Sequence, residues 1–416
     1  MNTRQLARYF QAARRDRARQ HFREYFRCPN GAQVLCESDS EYRLWESLTE
    51  GLATGQIDLQ RISIRSLFED FVPGGREIVD SWNPRHGGGG ISLTEGAGAI
   101  DTAQFSNITG QVVYTRILQA FTAEEYVFSR IVPQIPTQFN GEKIAGISRI
   151  GDEAQVVPEG RPYPLVGVSE DYIQTPQTLK RGLIDALTKE AVFFDRTGVL
   201  LARCGEVGEF LGLNKEKRLI DAFIDQNTTA HRYNWRGTTY ATYQATSPWV
   251  NVIPAGNGLT DWTSIDAAEQ VLAAIRDPWT GEPIMVTPKD LIVTRSKLYS
   301  ARRIVTATEI EVMTPGFATA GNPTRTATPN PIQSYRIISS QLLGARMALA
   351  SESTNDWFVG DVARAINYME NFPLTVVQAA SNSEAEFQRD IVMQWKASER
   401  GAAAVVEPRV LVRSSQ

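Results

Sequence analysis

Histidine and cysteine are scarce in this chain, and long apolar runs are missing altogether. Of 416 residues, three are histidine and three are cysteine. His21, His86 and His231 stand in an arginine-rich stretch, beside a glycine run and in a polar loop. No His-Glu-x-x-His or comparable spacing joins them, so the sequence offers no ligand set for zinc or iron. A Ser/His/Asp hydrolase would have to use one of the same three, and no Gly-x-Ser-x-Gly elbow presents a nucleophile. Cys28, Cys36 and Cys204 form no Cys-x-x-Cys pair, and their odd number suggests no disulfide framework. A reducing compartment at synthesis is expected. No stretch approaches the ~20 apolar residues of a membrane-spanning helix. The opening residues, with Arg4 and Arg8 but no apolar core behind them, do not read as a secretory signal. An overall excess of positive charge is lacking too. The net charge of −4 argues against a dedicated nucleic-acid binder.

What is present is an average globular composition, 42% apolar and 22% charged, with enough length for two or three domains. The charge is uneven. Residues 1–30 hold eight Arg against Asp16 and Glu24, a local balance of +6, which leaves −10 for the rest. Arg4, Arg8, Arg15, Arg19 and Arg23 recur near helical period, so residues 1–27 are expected to form a helix with a basic stripe. That stripe is either a solvated face or an arm that meets nucleic acid or an acidic partner through non-specific phosphate contacts. Cys28-Pro29-Asn30-Gly31 ends the segment. Further helices are expected over 40–52 and 66–82. The run Gly87 to Gly90 is the clearest linker.

Residues 105–131 again read as helical, through Ile117, Leu118, Phe121 and Phe128. Between Glu142 and Lys180 the helical period disappears. Two extended polar stretches flank a turn-rich centre, Pro158-Glu159-Gly160-Arg161-Pro162-Tyr163-Pro164, which predicts a long β-hairpin. Such a ribbon has no core of its own and must rest on something else, for which a neighbouring subunit is the natural support. The longest helical signal follows, about Thr188 to Asp225. Within it Gly205, Gly208 and Gly212 share one face where another backbone could approach closely. Helices over 262–275 and 296–304 and a buried strand over 291–294 are expected. In Arg389–Ala397, Ile391, Met393, Trp395 and Ala397 alternate with Val392, Gln394 and Lys396, the period of a strand.

No constellation carries chemistry. The glycine runs lack a following Gly-Lys-Ser/Thr, so linkers are preferred to phosphate cradles. Cys204 reads as a small buried thiol. Asp152-Glu153 and Glu170-Asp171 read as polar faces of strands, and nothing places two carboxylates in an apolar pocket. The residues suggest no catalytic, cofactor or metal site, and features suited to assembly.

The order of several motifs resembles a known family. Gly151 to Pro164 is followed by Leu179-Lys180-Arg181-Gly182 and by Leu187-Thr188-Lys189-Glu190-Ala191. Asp277-Pro278-Trp279-Thr280-Gly281-Glu282-Pro283-Ile284 comes next, with Leu291-Ile292-Val293. Asp356-Trp357-Phe358-Val359-Gly360-Asp361 and the tail from Arg389 to Arg409 complete the series. Over about residues 105–412 this is similar to the major capsid proteins of tailed phages with the HK97-like fold.

The resemblance implies an α+β fold with an axial domain, a peripheral domain bearing a long spine helix, an extended β-hairpin loop and an N-terminal helical arm. The expected segments are 1–86, an arm or scaffold-like region; 87–141, a linker and helical N-arm; 142–187, the extended loop; 188–258, the spine helix and peripheral domain; 259–356, the axial domain; and 357–416, peripheral-domain strands. It implies a structural, non-enzymatic homo-oligomer that forms pentamers and hexamers of an icosahedral shell around double-stranded DNA. Portal, scaffold and decoration proteins would be further partners, with no membrane. The location implied is the virion, after synthesis in a bacterial cytoplasm. Lys143, Arg149, Glu159, Arg161, Tyr163 and Lys180 are the candidate inter-subunit contacts of the loop, and Arg4, Arg8, Arg15, Arg19 and Arg23 the candidate interior contacts with nucleic acid. Lys143 and Lys180 are the ribbon's only lysines and lie near its base, where no motif marks a covalent cross-link. The competing readings are an encapsulin-type nanocompartment shell and a hydrolase with an unrecognised site.

Overall fold

In the computed structural model of the chain, the residues described are 24–27, 33–36, Arg65, Glu69, Arg76, Val79, Gly110, 112–145, 157, 159, 172–188, 190, 193–194, 197–226, 233–235, 238–246, 248–254, 256–276, 283–314, 324–332, 334–378 and 391–416. Two compact units result. One contains Met1–Ala123, Arg181–Gly212 and Leu374–Glu399; the other contains Glu124–Lys180, Leu213–Pro373 and Arg400–Gln416.

The N-terminal expectation needs correction at one point. Glu24–Arg27 is not the end of a helix but a strand, β1, paired antiparallel with β2, Gln33–Cys36. Tyr25 and Phe26 favour an extended backbone. The stripe residues Arg4, Arg8, Arg15, Arg19 and Arg23 lie outside the described residues, as does the helix expected over 40–52. Of the helix expected over 66–82, Glu69, Arg76 and Val79 are described, all helical.

In the first unit, a helix over 112–121 (α1) packs on the N-terminal part of the long helix (α3), whose full span is Thr197–Ile224. The glycine face of α3 is where they meet. A Cβ at Gly208 would lie 2.3 Å from the Ile117 carbonyl oxygen, and one at Gly205 would meet the Arg116 guanidinium at 3.3 Å. The close backbone approach expected from the glycine spacing is therefore made within the chain. Cys204, on the same helix, is buried and donates its S–H to Asp185 Oδ2 at 3.2 Å. Burial first, and then the Asp185 carboxylate, push its pKa up, so the thiol stays neutral. Before α3 the chain is a strand, β6 (Leu179–Thr188), rather than helix from Thr188 onward.

The second unit holds one extensive apolar core. Short strands β3 (Gln134–Pro136), β4 (Lys143–Ala145) and β5 (Tyr172–Gln174) precede it, with helix α2 (Val127–Ile131). After α3 come β7 (Tyr233–Trp235), β8 (Thr238–Tyr240), β9 (Val252–Ile253), helix α4 (Trp262–Ala274) and β10 (Asp290–Thr294). Helix α5 (Leu298–Thr306) leads to the two-stranded ribbon β11 (Glu309–Thr314) and β12 (Thr324–Pro329). Then follow β13 (Arg336–Ser340), α6 (Gln341–Leu349), β14 (Trp357–Gly360), α7 (Val362–Ala365), β15 (Ile366–Gln378), β16 (Ile391–Val405) and β17 (Leu411–Ser414).

A five-stranded sheet, in the order β13-β10-β14-β17-β9, forms the centre of this core. Leu291, Ile292 and Val293 of β10 are wholly buried, as befits a run that is apolar on both faces. β10 is parallel to β13 and antiparallel to β14. The parallel pairing requires a crossover, which α5 and the β11–β12 ribbon supply. Asp261 caps α4 by accepting from the Thr263 N–H at 3.0 Å, and Ser340 caps α6. Phe223 of α3 stacks edge-on against Phe358 at 4.6 Å and tilts against Phe128 at 5.2 Å. Gly360 closes this region: its φ of +153° and the Val410 carbonyl, 2.1 Å from where a Cβ would stand, admit no side chain.

Charged groups in this core form ion pairs. Arg413 bonds Asp356 at 2.6 Å and also Glu352; Arg409 bonds Glu407 at 2.6 Å; Arg346 grips Asp221 with both nitrogens at 2.6 and 2.5 Å. The carboxylate of Glu216, fully buried on α3, accepts from the N–H groups of Phe128 and Ser129 at 2.9 and 2.8 Å and from the Ser129 hydroxyl at 2.8 Å. Burial raises its pKa while those donors pull it back.

A further sheet has the order β3-β15-β16-β6. The expected alternation in the tail is present: Ile391, Trp395 and Ala397 are buried, whereas Lys396 is exposed.

Candidate assembly interface

The base of the expected ribbon is built from β4 and β5. They pair antiparallel with Lys143 opposite Gln174, Ile144 opposite Ile173 and Ala145 opposite Tyr172, and β7 and β8 extend the sheet beyond β5. Each pair of numbers sums to 317, so the midpoint of the intervening chain falls between Pro158 and Glu159. Glu159 is exposed and in a turn.

A polar clamp fixes this base. Gly141, at φ +84°, lets the chain reverse immediately before β4. Asn140 Oδ1 accepts from both the N–H and the hydroxyl of Thr178, at 2.9 and 3.2 Å. The Thr175 hydroxyl accepts from the Glu142 N–H at 2.7 Å and donates to the Glu142 carbonyl at 3.0 Å. Asn371 of β15 donates to the carbonyls of Thr137 and Phe139 at 2.8 and 3.1 Å, and Arg400 of β16 reaches the Thr178 hydroxyl at 3.1 Å. Both chain segments that enter the ribbon are thus tied to strands of the unit itself.

Of these polar residues Thr175 and Thr178 are buried, Asn371 is half-buried and Asn140 is exposed, and beside them stand exposed apolar ones. Phe139 precedes Asn140, Leu179 follows Thr178, and Phe372 follows Asn371; they are 63%, 57% and 57% exposed. Along β6, Leu183 and Ile184 are exposed at consecutive positions, which point to opposite faces of a strand. Exposed large apolar side chains are a mark of a protein–protein contact.

The candidate loop contacts are distributed as follows. Lys143 opens β4, Glu159 lies at the turn and Lys180 sits in β6, all exposed. Lys143 and Lys180 belong to different sheets. Arg149, Arg161 and Tyr163 lie outside the described residues. The sequence reading missed the clamp. Asn140-Gly141 is a recognisable turn pair, but Thr175, Thr178 and Asn371 belong to no motif. Among the described residues no group of His, Cys, Asp and Glu could hold a metal ion, and no helix is long and apolar enough to cross a membrane.

A model of the phage capsid protein family matches residues 172–414. That is more than half of the chain, and the chain belongs to this family. It is a structural capsid subunit, of the family to which the order of motifs pointed. A comparison with curated proteins finds no match. Solved structures similar to the chain include one from Mycobacterium phage Ogopogo, at 14% identity and TM-score 0.39, covering 70% of this chain and 91% of that one. A virus-like particle protein from Pyrococcus furiosus overlays at 9% identity and TM-score 0.40, covering 73% and 98%. The SrpI encapsulin of Synechococcus elongatus does so at 11% identity and TM-score 0.38, covering 71% and 88%.

Proposed function

We propose that the subunit assembles into pentamers and hexamers of an icosahedral head that encloses double-stranded DNA, and that the β4–β5 ribbon makes the principal inter-subunit contact. The observation that carries this is the ribbon base: a pair in fixed register, clamped by Asn140, Thr175, Thr178 and Asn371 and bordered by exposed Phe139, Leu179 and Phe372. A two-stranded ribbon is marginal alone in water. A rigid base for such a ribbon makes sense when a neighbouring copy supplies the missing surface. Lys143, Arg149, Glu159, Arg161, Tyr163 and Lys180 would supply polar contacts around the apolar ones. The arm residues Arg4, Arg8, Arg15, Arg19 and Arg23 would meet packaged DNA through phosphate charge alone. The reading places the protein in the virion, after synthesis in the host cytoplasm, with no catalytic role.

Deleting Ile150–Pro164 tests it. The variant should keep the circular dichroism of the wild type and remain unassembled in negative-stain micrographs. Normal shells from the deletion would refute the contact. Shells from the native source filled with an enzyme, rather than with nuclease-protected DNA, would instead support a nanocompartment.

A further inference from the structure

Helix α5 buries Leu298, Ala301, Ile304 and Val305 and turns Tyr299, Arg302 and Arg303 outward. Arg295, one turn before Tyr299, is exposed as well, and Lys297 is half-exposed. Because residues three and four apart share a helix face, Arg295, Tyr299, Arg302 and Arg303 form one outward stripe. Its charge is unbalanced. Between Leu291 and Thr308 there is no Asp or Glu, in a chain whose net charge is −4. Asp290, on the strand before, is already paired with Arg336 at 2.7 Å. Among the described residues no carboxylate forms a salt bridge with Arg295, Lys297, Arg302 or Arg303; Arg303 reaches only the Thr260 carbonyl, at 3.5 Å. Tyr299 is 72% exposed. A merely solvated helix face usually intersperses acids with its bases, gaining from pairs at three and four residues. This one does not, and it adds an uncovered aromatic ring to the cations.

We propose that this face of α5 is a contact surface for the phosphate backbone of double-stranded DNA. The proposal rests on the reading of a DNA-enclosing shell and assigns that shell a specific lining element besides the N-terminal arm. Charge complementarity selects the occupant. Side chains about 5–6 Å apart along the helix face a polymer with one negative charge per ~1.7 Å of axis. Neutralisation without base contacts is what a sequence-independent container needs. Binding at each subunit can be weak, because a closed shell presents the same stripe many times to one molecule.

The test uses full-length unassembled subunits and a fluorescent DNA duplex in a salt titration. Three variants are compared with wild type: Arg295→Gln/Arg302→Gln/Arg303→Gln, the same three positions changed to Lys, and Arg4→Gln/Arg8→Gln as a control for the arm. Each phosphate contact contributes about −0.9 to the slope of log K against log salt. The triple Gln variant should therefore lose about 2–3 of that slope, while the triple Lys variant keeps it. Ultraviolet cross-linking of DNA-filled particles should attach nucleotide to the peptide that carries Tyr299. An unchanged slope in the Gln variant overturns the proposal. So does a folded Gln variant that binds duplex normally yet builds no shells, since the face would then meet another copy. Particles that never contain DNA would refute the DNA-enclosing reading, and the duplex titration would still decide the α5 surface.

Discussion

Replacing Gly208 by alanine pits helix propensity against packing, and the structure decides the sign. In an isolated helix the change should stabilise by about 1 kcal/mol. In this protein the new methyl would stand 2.3 Å from the Ile117 carbonyl oxygen and 3.0 Å from Ala120 Cβ. A carbon–oxygen contact needs about 3.3 Å or more, so α1 and α3 must separate by roughly 1 Å. The obstructing atom is backbone and cannot rotate away. Overpacking should then cost near the upper end of its usual range, about 3 kcal/mol. The net expectation is about 2 kcal/mol of destabilisation, or a melting point lower by ~4–8 °C for a unit of this size. Gly198→Ala is the matched control on the same helix: nothing lies within 4 Å of its added Cβ. It should leave the melting point unchanged or raise it, gaining at most ~1 kcal/mol. Thermal melts of the unassembled subunit, followed by circular dichroism, measure both. If Gly208→Ala melts at or above the wild type, α1 does not sit on the glycine face and that account of α3 is wrong.

Other expectations concern the polar contacts. Asn140→Ala removes both acceptor contacts to Thr178 and should cost about 1–3 kcal/mol; particle yield should fall while secondary structure persists, and full yield would show that the clamp is dispensable. Glu216→Ala strands the buried N–H groups of Phe128 and Ser129, and urea unfolding should register a loss of about 2–5 kcal/mol. Cys204 should resist iodoacetamide in the native subunit and react once the chain is denatured. Because its folded pKa is raised, its contribution to stability is present below the ordinary thiol value of about 8.5 and declines as pH rises past it. Unfolding midpoints on either side of that pH should show the decline in the wild type and less of it in Cys204→Ala.

Much of the architecture is legible from periodicity, and the misses have a common physical origin. The apolar positions of α3 and the buried run Leu291–Val293 carry their own structure, since one face or the whole segment is apolar. The expected start of α3, about Thr188, is instead the last residue of β6, and the helix spans Thr197–Ile224. β6 lies beside β16 in a sheet, a pairing with a distant segment that no local period reveals. Glu24–Arg27 shows the reverse error: an arginine period extended over residues whose turn chemistry demands a hairpin. Register and partner choice were illegible. Nothing local tells β9 to lie parallel to β17, and nothing in an isolated threonine marks Thr178 as the anchor of a ribbon. The proposed assembly surface is visible in the sequence as a polar, core-less stretch, whereas its apolar border at Phe139, Leu179 and Phe372 depends on exposure that only the folded chain defines.

The position of β17 bears on the timing of synthesis. It lies between β14 and β9, with Arg413 opposite Val252 and its guanidinium on Asp356. The chain therefore makes β9, β10, β13 and β14 first, and the strand that joins β9 to the rest emerges after all of them. On the ribosome β9 has no partner in this sheet, and one side of β14 is an open edge of the kind that invites mispairing. The central sheet can close only once β17 has been translated, so a nascent subunit that has not reached β17 lacks a complete second unit. The strand that completes the fold of this unit is thus the last of the five to be made.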